Sequence, residues 1–424
     1  MKNGAGIILS APSSNSGKTI ITLGLLRALS REGFKIKSAK SGPDYIDTRF
    51  HAAASRSECY NLDTWAMHSN QISNLVNSPS PLIVEGAMGL FDGAPPNGEG
   101  STAHLAKILD LPVILILDVT SQAQSVAAVV LGFMKLDSDI KISGLILNKV
   151  GSDKHNRMLI SALEPLGIPI LGSIYRQTDL EMPSRHLGLV QAQELNNLNM
   201  FLEKAADLIS KALDIQKILD LMEPIKQPKQ SSSIFLDPPA QSIAIANDAA
   251  FSFTYPHILK EWKKMGVEIS FFSPLQNQAP QEKDLVFLPG GYPELYAEKL
   301  ANAHNFKNSM KKAKSVYGEC GGYMTMGKGI VDAQGKCHEM LDLLNLETSF
   351  ETRKLNLGYR NLIPNNIWTS ELKAHEFHYA TTLKAKGKPL FKATDSEGNV
   401  LPDMGLINGN FYGSFAHIIG THIK

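Results

Sequence analysis

Three short stretches of this sequence carry side chains whose types and spacing could do chemistry. Residues 11–19, Ala-Pro-Ser-Ser-Asn-Ser-Gly-Lys-Thr, follow an apolar run and precede a segment with helical spacing, the context in which a glycine-lysine loop wraps nucleotide phosphates. Small residues let backbone N–H groups converge on phosphate oxygens, Lys18 adds positive charge, Thr19 offers a hydroxyl to Mg²⁺, and the helix N-terminus favours an anion. Asn15, Ser16, Gly17, Lys18 and Thr19 are therefore candidate ATP contacts. Pro12 stands five positions before Gly17, where a glycine is usual, so the loop is a variant, with a small-residue turn capping the helix at Ser16 as the alternative to nucleotide binding.

Carboxylates form the second group. Asp44 and Asp47 lie in Ser-Gly-Pro-Asp-Tyr-Ile-Asp, residues 41–47, and carboxylates beside a triphosphate suit Mg²⁺, which takes oxygen ligands and keeps several waters. Plain turn chemistry explains the same residues equally well. Glu85 ends an apolar strand and is followed by glycines, at the sheet edge where α/β proteins place their ligands. It is a metal candidate, with helix capping as the alternative. Asp118 and Asn148 end later apolar runs in equivalent positions, and Asn148 with Lys149 could contact the nucleotide base.

The third group is a thiol and a base. Cys320 sits in Val-Tyr-Gly-Glu-Cys-Gly-Gly-Tyr, residues 316–323, between a strand and a helix. Flanking glycines permit the strained turn that exposes a nucleophile, and the following helix N-terminus is expected to lower the thiol pKa. Gly290, Gly291 and Gly321 are candidate donors of backbone N–H groups to an oxyanion or a bound substrate. His417 is the candidate base, and His375 and His378 either compete for that role or line the pocket. Cys59 and Cys337 lack such a context and read as structural.

These residues need a scaffold of strands and helices. Up to about residue 215, short apolar runs ending in Gly, Asp or Asn alternate with helically spaced segments, which predicts a parallel sheet covered by helices. Strands are expected at 6–10, 81–85, 113–118, 142–148 and 169–172, and helices at 18–30 and 121–134. Residues 223–241 contain four prolines and a Ser-Ser-Ser run, the signature of a linker. Alternation restarts at residue 242, with strands expected at 242–247, 267–272 and 284–288. The expected division is 1–222, a linker at 223–241, and 242–424.

Bulk properties narrow the function further. Lys plus Arg total 42 against 41 for Asp plus Glu, a net charge of +1, so no global field selects nucleic acid or an anionic membrane. With 3 cysteines no disulfide framework is expected, which fits a reducing cytoplasm. The first ten residues read as a strand rather than a signal peptide, and no apolar run approaches the ~20 residues that span a bilayer. Partners are expected to be small molecules, and a homodimer is compatible with this reading.

The phosphate loop, the Pro-Asp-Tyr-Ile-Asp segment, residues 85–93 (Glu-Gly-Ala-Met-Gly-Leu-Phe-Asp-Gly), residues 183–189 (Pro-Ser-Arg-His-Leu-Gly-Leu) and Gly-Glu-Cys-Gly-Gly together resemble the cobyrinate a,c-diamide synthase family over nearly the whole chain. The resemblance implies an α/β architecture: an N-terminal phosphate-loop domain of the dethiobiotin-synthetase type and a C-terminal class I glutamine amidotransferase domain of flavodoxin-like topology. It implies ATP- and Mg²⁺-dependent conversion of the a and c acetates of a corrin ring, cobyrinic acid, to acyl phosphates that ammonia from glutamine attacks. Cys320 would be the glutaminase nucleophile and His417 its base; Lys18 and Thr19 would hold ATP and Mg²⁺; Asp44, Tyr45 and Asp47 would face substrate or metal. Hydrogenobyrinate, nickel-sirohydrochlorin and the substrate of cobyric acid synthase are the alternative acids. A nucleotide-switched partitioning ATPase is the alternative of another class. Ile419 stands where many class I amidotransferases carry the Glu that orients the histidine, and the chain stops shortly after His417. Slower glutaminase chemistry is therefore expected.

Overall fold

In the computed structural model, residues 4–176, 197–226 and 235–422 are described; the 183–189 motif lies outside them. The chain divides into two compact units, Met1–Ser233 and Ile234–Lys424, each with its own hydrophobic core.

The first unit is built on strands β1 (Ala5–Ser10), β2 (Lys37–Ser41), β3 (Cys59–Leu62), β4 (Leu82–Glu85), β5 (Val113–Asp118), β6 (Ile142–Val150) and β7 (Ile170–Tyr175). They lie in the order β3-β2-β4-β1-β5-β6-β7, all parallel. Central strands of such a sheet are covered on both faces and must be apolar throughout; β1, Ala-Gly-Ile-Ile-Leu-Ser, is buried at every position. Parallel pairing collects the C-terminal ends of the strands along one edge. Its register sets Glu85 beside both Leu9 and Lys40, and Asp118 beside Asn148.

Two helices finish that edge. Helix α1 (Lys18–Arg31) starts directly after Gly17, whose φ of 88° is a left-handed conformation suited to glycine. Helix α2 (Asp47–Ser55) follows the Asp44 turn, where the Asp44 carboxylate accepts from the backbone N–H groups of Ile46 and Asp47.

Both ends of the segment expected as a linker are tied down. Glu223–Pro224 forms β8, antiparallel to the start of β1. Leu236 is buried, with the Trp262 indole donating to its carbonyl at 3.0 Å.

The second unit opens with β9 (Ser242–Ala246), β10 (Glu268–Phe272), β11 (Leu285–Leu288) and β12 (Val316–Glu319). Together with Phe411–Ser414 they make a parallel sheet in the order β10-β9-β11-β12-(411–414), the 2-1-3-4-5 order of flavodoxin-like folds. Between residues 329 and 421 the chain forms two further sheets of short, mostly antiparallel strands. In Leu372–His378 burial alternates strictly, so one face covers the core. That strand pairs with Ala416–Thr421, setting His375 opposite His417.

Candidate active sites

In the first unit a cavity of about 980 Å³ opens over the strand ends and is lined by Asn15, Gly17, Lys18, Thr19, Lys40, Asp44, Asp47, Glu85, Asn148 and Lys149, among others. All but two of the candidate nucleotide, metal and substrate residues therefore share one space. Ser16 is buried behind the loop, its hydroxyl donating to the Ser13 carbonyl at 2.9 Å. Tyr45, expected to face substrate, is buried and outside the cavity lining.

The loop is held in shape from the sheet. The Asn148 amide donates to the Ser16 carbonyl at 2.9 Å, and a Cβ on Gly17 would come within 2.2 Å of that amide nitrogen. Asn148 thus props the loop from beneath, and only glycine fits above it. Lys149 bridges the Asp118 carboxylate at 2.6 Å and the Asn15 carbonyl at 3.1 Å. Lys18 donates to the carbonyls of Ser13 and Met88. Burial, and then the nearby Lys40, push its pKa down to about 8 against the pull of Glu85, Asp47 and Asp92, so a phosphate group brought to it would favour its charged form.

Glu85 is the hub of the cavity floor. Its Oε1 accepts from Thr19 and from Lys40, and its Oε2 pairs with His51 Nε2, each at 2.6 Å; Lys40 also reaches Asp47 Oδ2 at 2.6 Å. Burial alone would raise Glu85, but Lys40 and His51 hold it well below the usual carboxylate range. Burial and the neighbouring Asp44 push Asp47 up to about 6. Burial alone would lower His51, yet Cys59 and Glu85 push it up to about 10. Lys40 and His51 went unmarked as chemistry in the sequence, because what recruits them is register between strands distant along the chain.

Whether these groups suit Mg²⁺ follows from the donors. The Lys40 ammonium sits between Glu85 and Asp47, with the Thr19 hydroxyl on the same Glu85 oxygen, so hard oxygen donors already surround a positive charge. No cluster of three or more His, Cys, Asp or Glu able to hold a metal occurs among the described residues. A partial oxygen set fits an ion that completes its shell with water and phosphate oxygens.

The second unit places the thiol on a strained turn. Cys320 has φ 45° and ψ −102° between β12 and the helix Gly321–Met326. Its backbone N–H donates to the Ser414 carbonyl at 2.8 Å, and its Sγ lies 3.8 Å from the Phe377 carbonyl. The glycines around it are required by close approach. A Cβ on Gly290 would lie 2.2 Å from His417 Cε1, and one on Gly291 would lie 2.1 Å from the Ala250 carbonyl. A Cβ on Gly321 would stand 3.0 Å from the Gly291 nitrogen, so Gly291 and Gly321 adjoin beside the thiol.

One expectation is corrected by this geometry. The thiol pKa is not lowered by the helix: burial, with Glu294 next, pushes it well above the usual thiol range. Desolvation outweighs the partial charge at the end of a helix of 6 residues. The thiol therefore depends on a base, and His417 is a neutral one. Burial, together with His375 and His378, pushes it down to about 3.

His378 is engaged elsewhere. It hydrogen-bonds Glu376 at 3.0 Å and stacks on Phe415 at 3.8 Å, while Arg360 holds the other Glu376 oxygen. The Ile419 side chain is wholly buried. A different carboxyl, that of Glu319, comes within 3.7 Å of His417 Nδ1.

Cys59 is buried and Cys337 exposed, both as free thiols. No helix among the described residues is long and apolar enough to cross a membrane.

A phosphate loop over a cationic, carboxylate-lined cavity, followed by a unit with a thiol elbow and a neutral histidine, defines a nucleotide-binding glutamine amidotransferase. Residues 7–190 match the CobQ/CobB/MinD/ParA nucleotide binding domain, and residues 242–422 match the CobB/CobQ-like glutamine amidotransferase domain. Along its full length the chain is 49% identical to a hydrogenobyrinate a,c-diamide synthase of Brucella anthropi, covering 98% of both proteins. It is 45% identical to the protein of that name from Rhodobacter capsulatus, again over 98% of each. The identity is 44% with the one from Mesorhizobium japonicum, over 97% of this chain and 98% of that protein. The chain belongs to this family of glutamine-dependent amidotransferases of cobalamin biosynthesis.

Proposed function

We propose that this enzyme amidates the a and c acetate carboxylates of hydrogenobyrinic acid, activating each with ATP and drawing the nitrogen from glutamine. The observation that carries this reading is the full-length similarity to proteins named for that reaction. The convergence of loop, cations and carboxylates in a single cavity supports it. Cobyrinic acid, the ring implied by the resemblance in the sequence, is the second reading and requires the same chemistry.

A carboxylate resists attack by ammonia until one of its oxygens becomes a phosphate leaving group. The loop from Asn15 to Thr19 would cradle the triphosphate through its N–H groups, and Lys18 and Lys40 would neutralise charge developing on the transferred phosphoryl. Thr19, Asp47 and Glu85 would hold Mg²⁺, which supplies further charge neutralisation on the phosphate oxygens when bound. Glu85 is saturated by Lys40 and His51, so its direct coordination would require Lys40 to turn towards phosphate. Asp44 lies in the cavity wall, where it would meet substrate, and Tyr45 would act on the shape of that wall from behind. Asn148 supports the loop through the Ser16 carbonyl and, from the cavity lining, would also meet the nucleotide.

In the second unit, Cys320 would attack the glutamine amide with His417 taking the thiol proton, while the N–H groups of Gly291 and Gly321 receive the oxyanion. Gly290 serves by leaving room for the imidazole. We also infer a cytoplasmic protein acting on small molecules, with free thiols in keeping with a reducing compartment.

The test is mass spectrometry of product after incubation with ATP, Mg²⁺, glutamine and either hydrogenobyrinic or cobyrinic acid. Two successive acid-to-amide changes that stop there are expected with the metal-free ring. Turnover with cobyrinic acid alone moves the substrate to the second reading, and ATP hydrolysis without any amide product refutes both.

A further inference from the structure

Strand β12 alternates, so Tyr317 and Glu319 share one face while the chain turns away at Cys320. That face meets Phe287 and Trp368 against the Tyr317 ring and Ile418 beyond it. Glu319 is buried in this apolar surround, a costly place for a carboxyl unless its oxygens are used. Its Oε1 accepts from the Ile418 backbone N–H at 3.1 Å and from the Tyr317 hydroxyl at 3.0 Å. Its Oε2 stands 3.7 Å from Nδ1 of His417. One oxygen is thus anchored by two donors, one of them the residue next to the histidine, and the other is directed at the imidazole.

We propose that Glu319, the residue immediately before the nucleophile, is the positioning residue of the glutaminase site, orienting His417 and stabilising its imidazolium in place of the carboxylate absent at position 419. This inference rests on reading Cys320 and His417 as nucleophile and base. When Glu319 is ionised, the Nδ1–H of His417 donates to Oε2 and the Nε2 lone pair is left for the thiol. Cys320 gives its proton to Nε2 as its sulfur bonds to the glutamine amide carbon. Collapse of the tetrahedral adduct breaks the C–N bond, and the Nε2 proton leaves with ammonia. The 3.7 Å separation shortens as the imidazolium forms, as hydrogen bonds of resting enzymes often do.

The groups that face Glu319 are Tyr317 on its own strand and His417 and the Ile418 N–H on the strand packed against it. Cys320 adjoins it at the turn, with Glu294 and Glu376 beyond the thiol. Burial pushes Glu319 up to about 8, so its carboxylate forms within an accessible pH range.

The experiment compares full-length Glu319→Gln and Glu319→Asp with the parent enzyme. In Glu319→Gln, kcat for glutamine hydrolysis is expected to fall roughly tenfold or more, with KM for glutamine within about twofold. The rise of kcat with pH that Glu319 ionisation imposes is expected to vanish, while amidation from ammonium is retained. Glu319→Asp, which keeps the charge, is expected to keep the pH limb at reduced kcat. Parent-like kcat and pH profile in Glu319→Gln overturn the proposal, as does a parallel loss of ammonium-dependent amidation, which marks a packing role. Cys320→Ser separates the two levels. If that variant still uses glutamine, the underlying assignment of the thiol is wrong; if it is inactive with glutamine while Glu319→Gln is normal, only the role of Glu319 is.

Discussion

At the scale of single residues, the first unit keeps two positive charges against one wholly buried carboxylate. Against the pull of burial, Cys59 and then Glu85, 2.6 Å away, favour the charged form of His51, and this has a thermodynamic sign. Its pKa is raised in the fold, from 6.5 to about 10. The stabilisation it contributes is fully present below pH 6.5, where folded and unfolded chains both bind the proton, and is lost as pH rises through about 10. Urea titrations of the first unit's transition are expected to show stability declining across that window. His51→Gln is expected to flatten the decline, and an unchanged slope in that variant would show that His51 is neutral in the fold. The motif residues Lys18, Thr19 and Cys320 were legible because each role follows from the immediate neighbours in the chain. Lys40, His51 and Glu319 were not, since their roles depend on which strands pair and in what register. The thiol pKa was misjudged for a related reason: local sequence exposes the helix that follows but conceals the depth of burial.

At the scale of elements, α1 must lie against the helix Leu198–Ala212 for the phosphate loop to keep its place, and Gly24 makes the approach possible. A Cβ there would meet Ile209 Cγ1 at 2.5 Å and the Ala205 carbonyl at 2.7 Å. Gly24→Ala gains about 1 kcal/mol of helix propensity but forces the helices apart. Overpacking of this kind costs about 1 to 3 kcal/mol. A lower urea midpoint with weaker ATP binding is expected; a higher midpoint would mean that the helices separate without strain. Strands such as β1, β4, β5 and β9 were readable as short apolar runs, whereas β2, Lys-Ser-Ala-Lys-Ser, and β3, Cys-Tyr-Asn-Leu, carry no such run. Expected and observed strands differ by only a few residues at their ends, as with 142–148 against Ile142–Val150. The antiparallel sheets between residues 329 and 421 went unread. Their strands are short, half-exposed and rich in charge, as in Leu-Lys-Ala-His-Glu-Phe-His of Leu372–His378, and become strands only through their neighbours.

At the scale of the whole molecule, separate cores and separate sites predict separable chemistry. Cys320→Ser is expected to lose amidation from glutamine and keep amidation from ammonium. Lys18→Ala is expected to lose amidation from either nitrogen source and keep glutamine hydrolysis. Product assays with both nitrogen sources check this, and loss of both activities in either variant would mean that the units do not work independently. The short strand β8 adds something to that independence. It lies against the first residues of β1, and the Ile225 N–H donates to the Gly4 carbonyl at 2.9 Å, so residues far apart along the first unit are clasped together. A pull on residue 225 therefore bears directly on β1, the strand that leads into the phosphate loop.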